Sequence, residues 1–210
     1  MTEPSASNLQ SKMQALLDAV ERQREELAKS KEQVLIRFEA ALDYRFLHAR
    51  DHPAVQCHRQ MVARTIELAR ACGVPEDEIE GMADGARIHD LGLVMLPDPV
   101  LFPGPFRSDE IQTQYEQHVQ LAMQTMADAK FLTQGGRDII AGHHERWDGT
   151  GYPAALAGEA IPFAARLFAV VESYEVAVHA TSDLEAQAFL RAEAGIGLDP
   201  ELVGRLLTLL

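Results

Sequence analysis

Apolar residues recur every seven positions near the start of this chain, where Met13, Val20, Leu27, Val34 and Ala41 form one seam. Leu9 and Leu16 begin a companion seam that Gln23, Ser30 and Arg37 interrupt, and charges such as Glu21, Arg22, Arg24, Glu25 and Glu26 fill the other faces. This pattern predicts a long N-terminal helix of coiled-coil character. The polar stretch 21–33 is hard to bury in a monomer, so the expectation is a homodimer joined along the helix. The alternative is a helix lying on its own domain's core. Residues 1–7 are polar and are expected to fray.

Helical periodicity continues after residue 45. A helix is predicted over 54–72, stopped by Gly73 and followed by Pro75, and another over about 75–90. "GLVMLPDPVLFPGPF" carries Pro97, Pro99, Pro103 and Pro105 and is predicted as a loop. Ser108 should cap a helix running to about Ala129, with Asp109 and Glu110 in its first turn. A short helix over 134–144 delivers a double histidine, and Pro162 opens another to about His179. Ser182 with Glu185 reads as a capping box for a helix ending near Gly195, and Asp199-Pro200 starts the last one. No alternating strand pattern is evident, so the fold class is all-α. The expected organisation is an N-terminal helix over 1–45 and a helical domain over 46–210.

Composition narrows the function classes. Almost half of the 210 residues are apolar, enough for a sizeable core, and the net charge is -13. Such a negative field repels a nucleic-acid polymer, while a small anionic substrate stays possible where a metal supplies local positive charge. Cys57 and Cys72 sit fifteen residues apart in one predicted helix, too far to bridge within it, and read as reduced thiols. "MTEPSASNLQ" has neither a basic start nor an apolar block, and no apolar run approaches the roughly 18 residues of a membrane span. The expectation is a cytoplasmic chain with no membrane partner.

Candidate chemistry lies in the eight histidines, His48, His52, His58, His89, His118, His143, His144 and His179. A lone histidine on a helix is usually a satisfied polar residue. Here His89 precedes Asp90, and His143 adjoins His144. Adjacent side chains on a regular helix point about 100° apart. Two rings at successive positions can share one centre only at a helix end or distortion, and the glycine-rich loop beginning at Gly149 suits one. Imidazole with carboxylate is a ligand set for iron, manganese or zinc. Two such ions need a bridging ligand, for which Asp90 is suited, and together they activate water and clamp a phosphoryl group.

These segments resemble a known family. "HHERWDGTGYP" matches the HHExxDGxGYP signature of HD-GYP domains, a branch of the HD metal-dependent phosphohydrolases. "RIHDLGLVMLPDPVL" resembles the family's HDIGKIGIPDxIL segment, and "RDHPAVQCH" its RDPxTxxH segment with one extra residue. "YEQHV" resembles the block with its mid-chain histidine, "AARLFAVVESYEVA" its ARIxAxADxYDA helix, and "GIGLDPELV" its terminal GTQFDPxLV. The likeness covers residues 46–210 in order.

The resemblance implies an HD-type helical bundle that binds two divalent metals, iron or manganese, and hydrolyses cyclic di-GMP. The implied ligands are His58, His89, Asp90, His118, His143, His144 and Glu172, with Asp90 bridging and His89 and Asp90 in the catalytic centre. A third-metal carboxylate would fall near Ala54, where no ligand stands. Gly149, Gly151, Tyr152 and Pro153 form the loop implied to meet substrate. In the family a diguanylate cyclase domain has been proposed as the partner of this loop; alternatively Tyr152 and Pro153 simply fix it. Arg146 and Trp147 are read as loop packing and solvent contact.

Three positions depart from the family pattern. The lysine of HDxGK is Leu93, which has no donor. The ligand aspartate is Glu172, whose carboxylate reaches roughly 1.5 Å farther, whereas metal distances tolerate about 0.2 Å. The basic stretch TSDRPY is replaced by "VHATSDLE", without its arginine. Two readings follow: a slow metal-dependent phosphodiesterase, or a catalytically degenerate relative acting as a sensor or adaptor. A purely structural bundle would leave the histidine set unexplained.

Overall fold

The computed structural model describes residues 6–45, 53–102 and 108–210. Among these the elements are α1 (Ala6–Arg45), α2 (Pro53–Ala71), α3 (Glu76–Ile88), α4 (Asp98–Leu101), α5 (Asp109–Thr125), α6 (Gln134–Gly142), α7 (Phe163–Ala180), α8 (Asp183–Glu193) and α9 (Pro200–Leu209), with 3₁₀ turns at Leu91–Met95 and Gly158–Ala160. Among the described residues no strand forms; one isolated bridge joins Ala194 and Leu198. The all-α expectation holds.

The chain divides into two compact units, Met1–Arg37 and Phe38–Leu210. In the first, α1 is continuous, and Met13, Leu16, Val20 and Leu27 of the predicted seam stand 45–69% exposed. Leu9 belongs to the same seam, but its side chain lies outside the described residues. The remainder of α1, from Phe38, belongs to the second unit. There Arg87 donates to both carboxylate oxygens of Glu39, at 2.7 and 3.0 Å, and Leu42 joins a buried cluster of Leu93, Leu96, Val100 and Leu101.

The main core is built around α7, whose Leu167, Phe168, Val170 and Val171 are fully buried. They meet Cys57, Met61 and Leu68 of α2, Ile79 and Met82 of α3, Ile139 of α6, Ala186 and Leu190 of α8, and Leu202, Val203 and Leu206 of α9. α3 and α6 approach backbone to backbone. A Cβ on Gly85 would lie 2.5 Å from the Gly136 carbonyl oxygen, and one on Gly136 would lie 2.4 Å from that of Gly81. Only glycine fits such a crossing. Its consequence is functional, because α3 ends beside His89 and α6 ends at His143.

The predicted caps form. Ser108 Oγ accepts from the Ile111 amide, Ser182 and Glu185 make a reciprocal capping box, and Asp199 accepts from the Glu201 and Leu202 amides. The proline-rich segment departs from expectation. Leu91–Met95 is a 3₁₀ turn and Asp98–Leu101 a short helix, with Pro99 at its start. Proline is tolerated there because the first helical amides have no intrahelical partner. Pro103 and Pro105 lie outside the described residues. α5 ends at Thr125, four residues short of expectation, and α6 at Gly142, two short.

Candidate metal centre

Four elements bring ionisable side chains to one point. His89 and Asp90 stand where α3 gives way to the 3₁₀ turn, His118 lies midway along α5, His143 caps α6, and Glu172 lies on α7. His118, His89 and His143 are almost fully buried, and the Asp90 side chain is 15% exposed.

Asp90 is the hub, and its two oxygens face different groups. Oδ1 lies 3.5 Å from His118 Nε2 and 3.7 Å from His143 Nε2. Oδ2 lies 3.4 Å from His89 Nε2, which itself is 3.7 Å from Glu172 Oε1. The His58 ring centroid is 5.9 Å from that of His89. Asp90, His118, His143 and His144 each offer a ligand atom, all within 4.8 Å of one another.

The hydrogen bonds on the far side of the rings decide what these nitrogens can do. His89 Nδ1 donates to the Ala86 carbonyl at 2.8 Å, and His118 Nδ1 to that of Tyr115 at 2.7 Å. His143 Nδ1 meets the Ile139 and Ile140 carbonyls at 3.1 and 3.2 Å. A carbonyl only accepts, so each Nδ1 carries a proton and each Nε2 is the ring atom turned toward the cluster. His118 Nε2 and His143 Nε2 then face each other at 3.5 Å, with a carboxylate oxygen beside them. Two ring nitrogens and a carboxylate oxygen converge on one point. His144 Nε2 is likewise buried without a hydrogen-bond partner. Separations of 3.4–3.7 Å are too long for hydrogen bonds. They are close to the spacing of about 3.0–3.4 Å between neighbouring ligands that each sit about 2.1 Å from one ion. The residues fit a divalent cation.

Electrostatics agree. Burial disfavours charge on His89, yet the adjacent Asp90 and Glu172 carboxylates outweigh it and raise its pKa to about 9. At neutral pH without metal, a proton on His89 therefore supplies the positive charge the cluster requires, and it must leave when an ion binds there. Burial also opposes the Asp90 carboxylate, but the surrounding imidazoles hold it well below the usual range. Burial lowers His118 to about 4 and pushes His144 well below its ordinary value. Both are neutral, as ligands must be. Burial raises Glu172.

The loop after α6 turns the adjacent histidines toward one centre. The His143 and His144 ring centroids are 4.1 Å apart, and His144 stacks on Tyr152 at 4.6 Å. The Tyr152 amide donates to the His144 carbonyl at 3.2 Å. That fold-back passes so close that a Cβ on Gly151 would lie 2.5 Å from the His144 oxygen and 2.4 Å from the Arg146 nitrogen. Gly149 takes φ +78°, and the Tyr152–Pro153 bond is cis. Gly151 and Tyr152 line a cavity of about 690 Å³ that reaches His143, His144 and Glu172, whereas Gly149 and Pro153 of the same loop do not line it.

Sequence reasoning gave no role to Glu145, although it adjoins the histidine pair. Its buried carboxylate accepts from the Ala154 and Leu156 amides at 2.7 and 2.9 Å, pinning the loop. The signal was available: an acid between two histidines and a glycine loop calls for backbone amides as partners. Leu93 is 2% exposed and packs in an apolar cluster with Leu42, Leu96, Val100 and Leu101. His179 is remote from the cluster's bonds and donates to the Glu175 carbonyl. His48 and His52 lie outside the described residues, as does the Ala54 side chain.

Comparison with known proteins agrees with this geometry. Residues 21–202 match the HD domain family. The chain is 35% identical over 149 residues to the cyclic di-GMP phosphodiesterase response regulator RpfG of Xanthomonas campestris pv. campestris, an alignment covering 67% of this chain and 39% of that protein. It is 33% identical over 159 residues to the 3'3'-cGAMP-specific phosphodiesterase 2 of Vibrio cholerae, covering 71% of this chain and 30% of that one. The chain thus spans well under half the length of these relatives. Its fold is similar to that of Bd1817, an HDG"Y"P protein from Bdellovibrio bacteriovorus, with a TM-score of 0.63 at 19% identity over 86% of this chain and 63% of the other. With the HD pair, the double histidine and the Gly-Tyr-Pro loop gathered at one site, the chain belongs to the HD domain family, in its HD-GYP branch.

Proposed function

We propose that this chain is a divalent-metal-dependent phosphodiesterase that hydrolyses cyclic di-GMP slowly. The observation that carries the reading is the disposition of Asp90, with one oxygen toward His118 and His143 and the other toward His89. One ion would be held by Asp90, His118, His143 and His144, and a second by His58, His89, Asp90 and Glu172. Two ions, iron or manganese, suit this mixed imidazole–carboxylate set. When bound, they supply Lewis-acid polarisation of a phosphoryl oxygen and activation of water at neutral pH.

The protein's own residues prepare that chemistry. The Nδ1–H bonds to backbone carbonyls lock the rings of His89, His118 and His143 in the tautomer that presents Nε2. Tyr152 covers one face of His144 and limits water there. Glu116, Glu145 and Glu172 line the cavity, so an anionic substrate enters favourably only when metal charge outweighs them. The second ion's residues include Glu172 in place of the family's shorter aspartate, and this is expected to be the weaker site.

Two supporting parts complete the reading. The exposed Met13, Leu16, Val20 and Leu27 seam supports a homodimer joined through α1. Cys57 and Cys72 form no disulfide, which suits a reducing, cytoplasmic setting. For the Gly-Tyr-Pro loop, the stacking of Tyr152 on His144 favours a role in fixing the site over docking a diguanylate cyclase domain.

A second reading, a degenerate sensor or adaptor, is favoured by one observation: Leu93 lies in an apolar cluster, leaving no lysine at that position to meet a phosphate. Protein purified anaerobically, loaded with Fe(II) or Mn(II) and incubated with cyclic di-GMP separates the two. Product formation that EDTA suppresses supports the enzyme; binding without turnover over hours supports the sensor.

A further inference from the structure

The cavity beside the metal cluster has two lining residues that metal chemistry leaves unused. Arg146 is its only cationic lining residue among those described, and Phe189 lines it while 44% exposed.

Arg146 is held by a built arrangement. Its Nε donates to Thr150 Oγ1 at 3.1 Å, one terminal nitrogen donates to Glu193 Oε2 at 3.1 Å, and Asp148 Oδ1 lies 3.6 Å from Nε. Neither of these bonds uses Nη1, which keeps its donors. The guanidinium fills the space that a side chain at 197 would take, since a Cβ on Gly197 would lie 2.6 Å from Nη1. The turn bearing Gly197 is fixed in turn, because the Trp147 and Asp148 amides donate to the Gly197 and Ile196 carbonyls at 3.0 and 2.8 Å. Phe189 and Glu193 are four residues apart on α8, on one helix face. The exposed ring and the anchor of Arg146 therefore occupy successive turns of one helix.

The chemistry of this wall selects its ligand. Glu193 and Asp148 offset the guanidinium charge, which makes Arg146 a weak trap for phosphate but leaves it an effective donor to neutral acceptors. The Phe189 ring, with Val176 and Ala177 of α7 lining the same cavity, offers apolar surface to a flat group. A purine with two adjacent acceptors on one edge meets both demands. Guanine presents O6 and N7 in that way and pairs with an arginine fork, whereas adenine sets an amino donor beside N7. Bases stack on aromatic side chains.

We infer that Phe189 and Arg146 form a guanine-binding wall, the ring stacking on the base and Arg146 donating to its O6 and N7. The inference rests on the dinucleotide reading above and assigns which part of such a ligand lies where.

The test uses GMP and AMP, which contain no phosphodiester bond, titrated calorimetrically into the full Mn(II)-loaded chain. Wild type should bind GMP more tightly than AMP. Phe189→Ala should weaken GMP roughly 5- to 150-fold, the range for losing one stacked base, while Phe189→Tyr stays within about twofold. Arg146→Gln should reduce the preference for GMP over AMP by roughly tenfold. Ribose 5-phosphate, which lacks a base, should bind Phe189→Ala and wild type alike. If both single variants bind GMP as wild type does, the guanine wall is overturned and the metal-centre reading stands. Equal affinity of wild type for GMP and AMP overturns the guanine assignment. If wild type neither binds GMP or cyclic di-GMP nor turns the latter over, the dinucleotide reading falls and this inference falls with it.

Discussion

Replacing Glu145 with alanine should loosen the Gly-Tyr-Pro loop and weaken the metal cluster together. The Glu145 carboxylate is 4% exposed and accepts two backbone amides, from Ala154 and Leu156 at 2.7 and 2.9 Å. Alanine leaves both amides without this acceptor. Hydrogen bonds to a charged group contribute about 1.5–3 kcal/mol each, and the relieved burial of the carboxylate offsets part of the loss. A net cost of about 2–4 kcal/mol is expected, which for a unit of this size lowers the melting temperature by about 4–16 °C. Because Tyr152 on that loop stacks on His144, Mn(II) affinity should fall as well. Glu145→Gln keeps one acceptor oxygen but turns an amino group toward the second amide, so it should fall between alanine and wild type. Thermal unfolding by circular dichroism, with metal titration of each variant, makes the comparison. An alanine variant that melts within about 1 °C of wild type and binds Mn(II) equally would refute the argument that this carboxylate holds the loop.

Other substitutions follow from the same geometry. His143→Ala with His144→Ala should empty the site shared with Asp90 and His118, and elemental analysis after anaerobic purification should show the loss; unchanged content would remove them as ligands. Leu93→Lys, which a comparison of motifs alone would expect to raise activity, should instead destabilise by several kcal/mol, because the ammonium replaces a side chain 2% exposed among Leu42, Leu96, Val100 and Leu101; a melting temperature equal to wild type would show that the position is open. Gly85→Ala sets a Cβ 2.5 Å from the Gly136 carbonyl oxygen, so its unfolding midpoint should fall markedly and its metal content with it. Val20→Glu with Leu27→Glu on the exposed seam of α1 should halve the mass measured by light scattering if that seam joins two copies; an unchanged mass would exclude it.

Much of the fold was legible because its signals are local. Ser108, Ser182 with Glu185, and Asp199 all bond amides within three residues, so the caps could be read from spacing alone. In the proline-rich segment, proline excludes a helix interior but not its first turn, so Pro99 opens a short helix where the pattern predicts a loop. The candidate ligands stand out through the HD pair and the double histidine, and the family resemblance already divides them between two sites that share Asp90. Which oxygen of Asp90 faces which ring is visible only in the folded chain. The burial of Leu93 depends on packing with Leu42, fifty-one positions away, and no local pattern reports that. Glu145 and the anchoring of Arg146 by Glu193 are likewise contacts that only the folded chain creates.

The proposed hydrolysis of a phosphodiester would draw its chemistry from two ions held about Asp90. Its most direct test is the rate of cyclic di-GMP cleavage as Fe(II) or Mn(II) is added stepwise to the metal-free chain under anaerobic conditions, beside Asp90→Ala. Little product is expected through the first equivalent, then a rise as the weaker site with Glu172 fills, and none from Asp90→Ala at any loading. Full activity at one equivalent, or an Asp90→Ala variant as active as wild type, would contradict it.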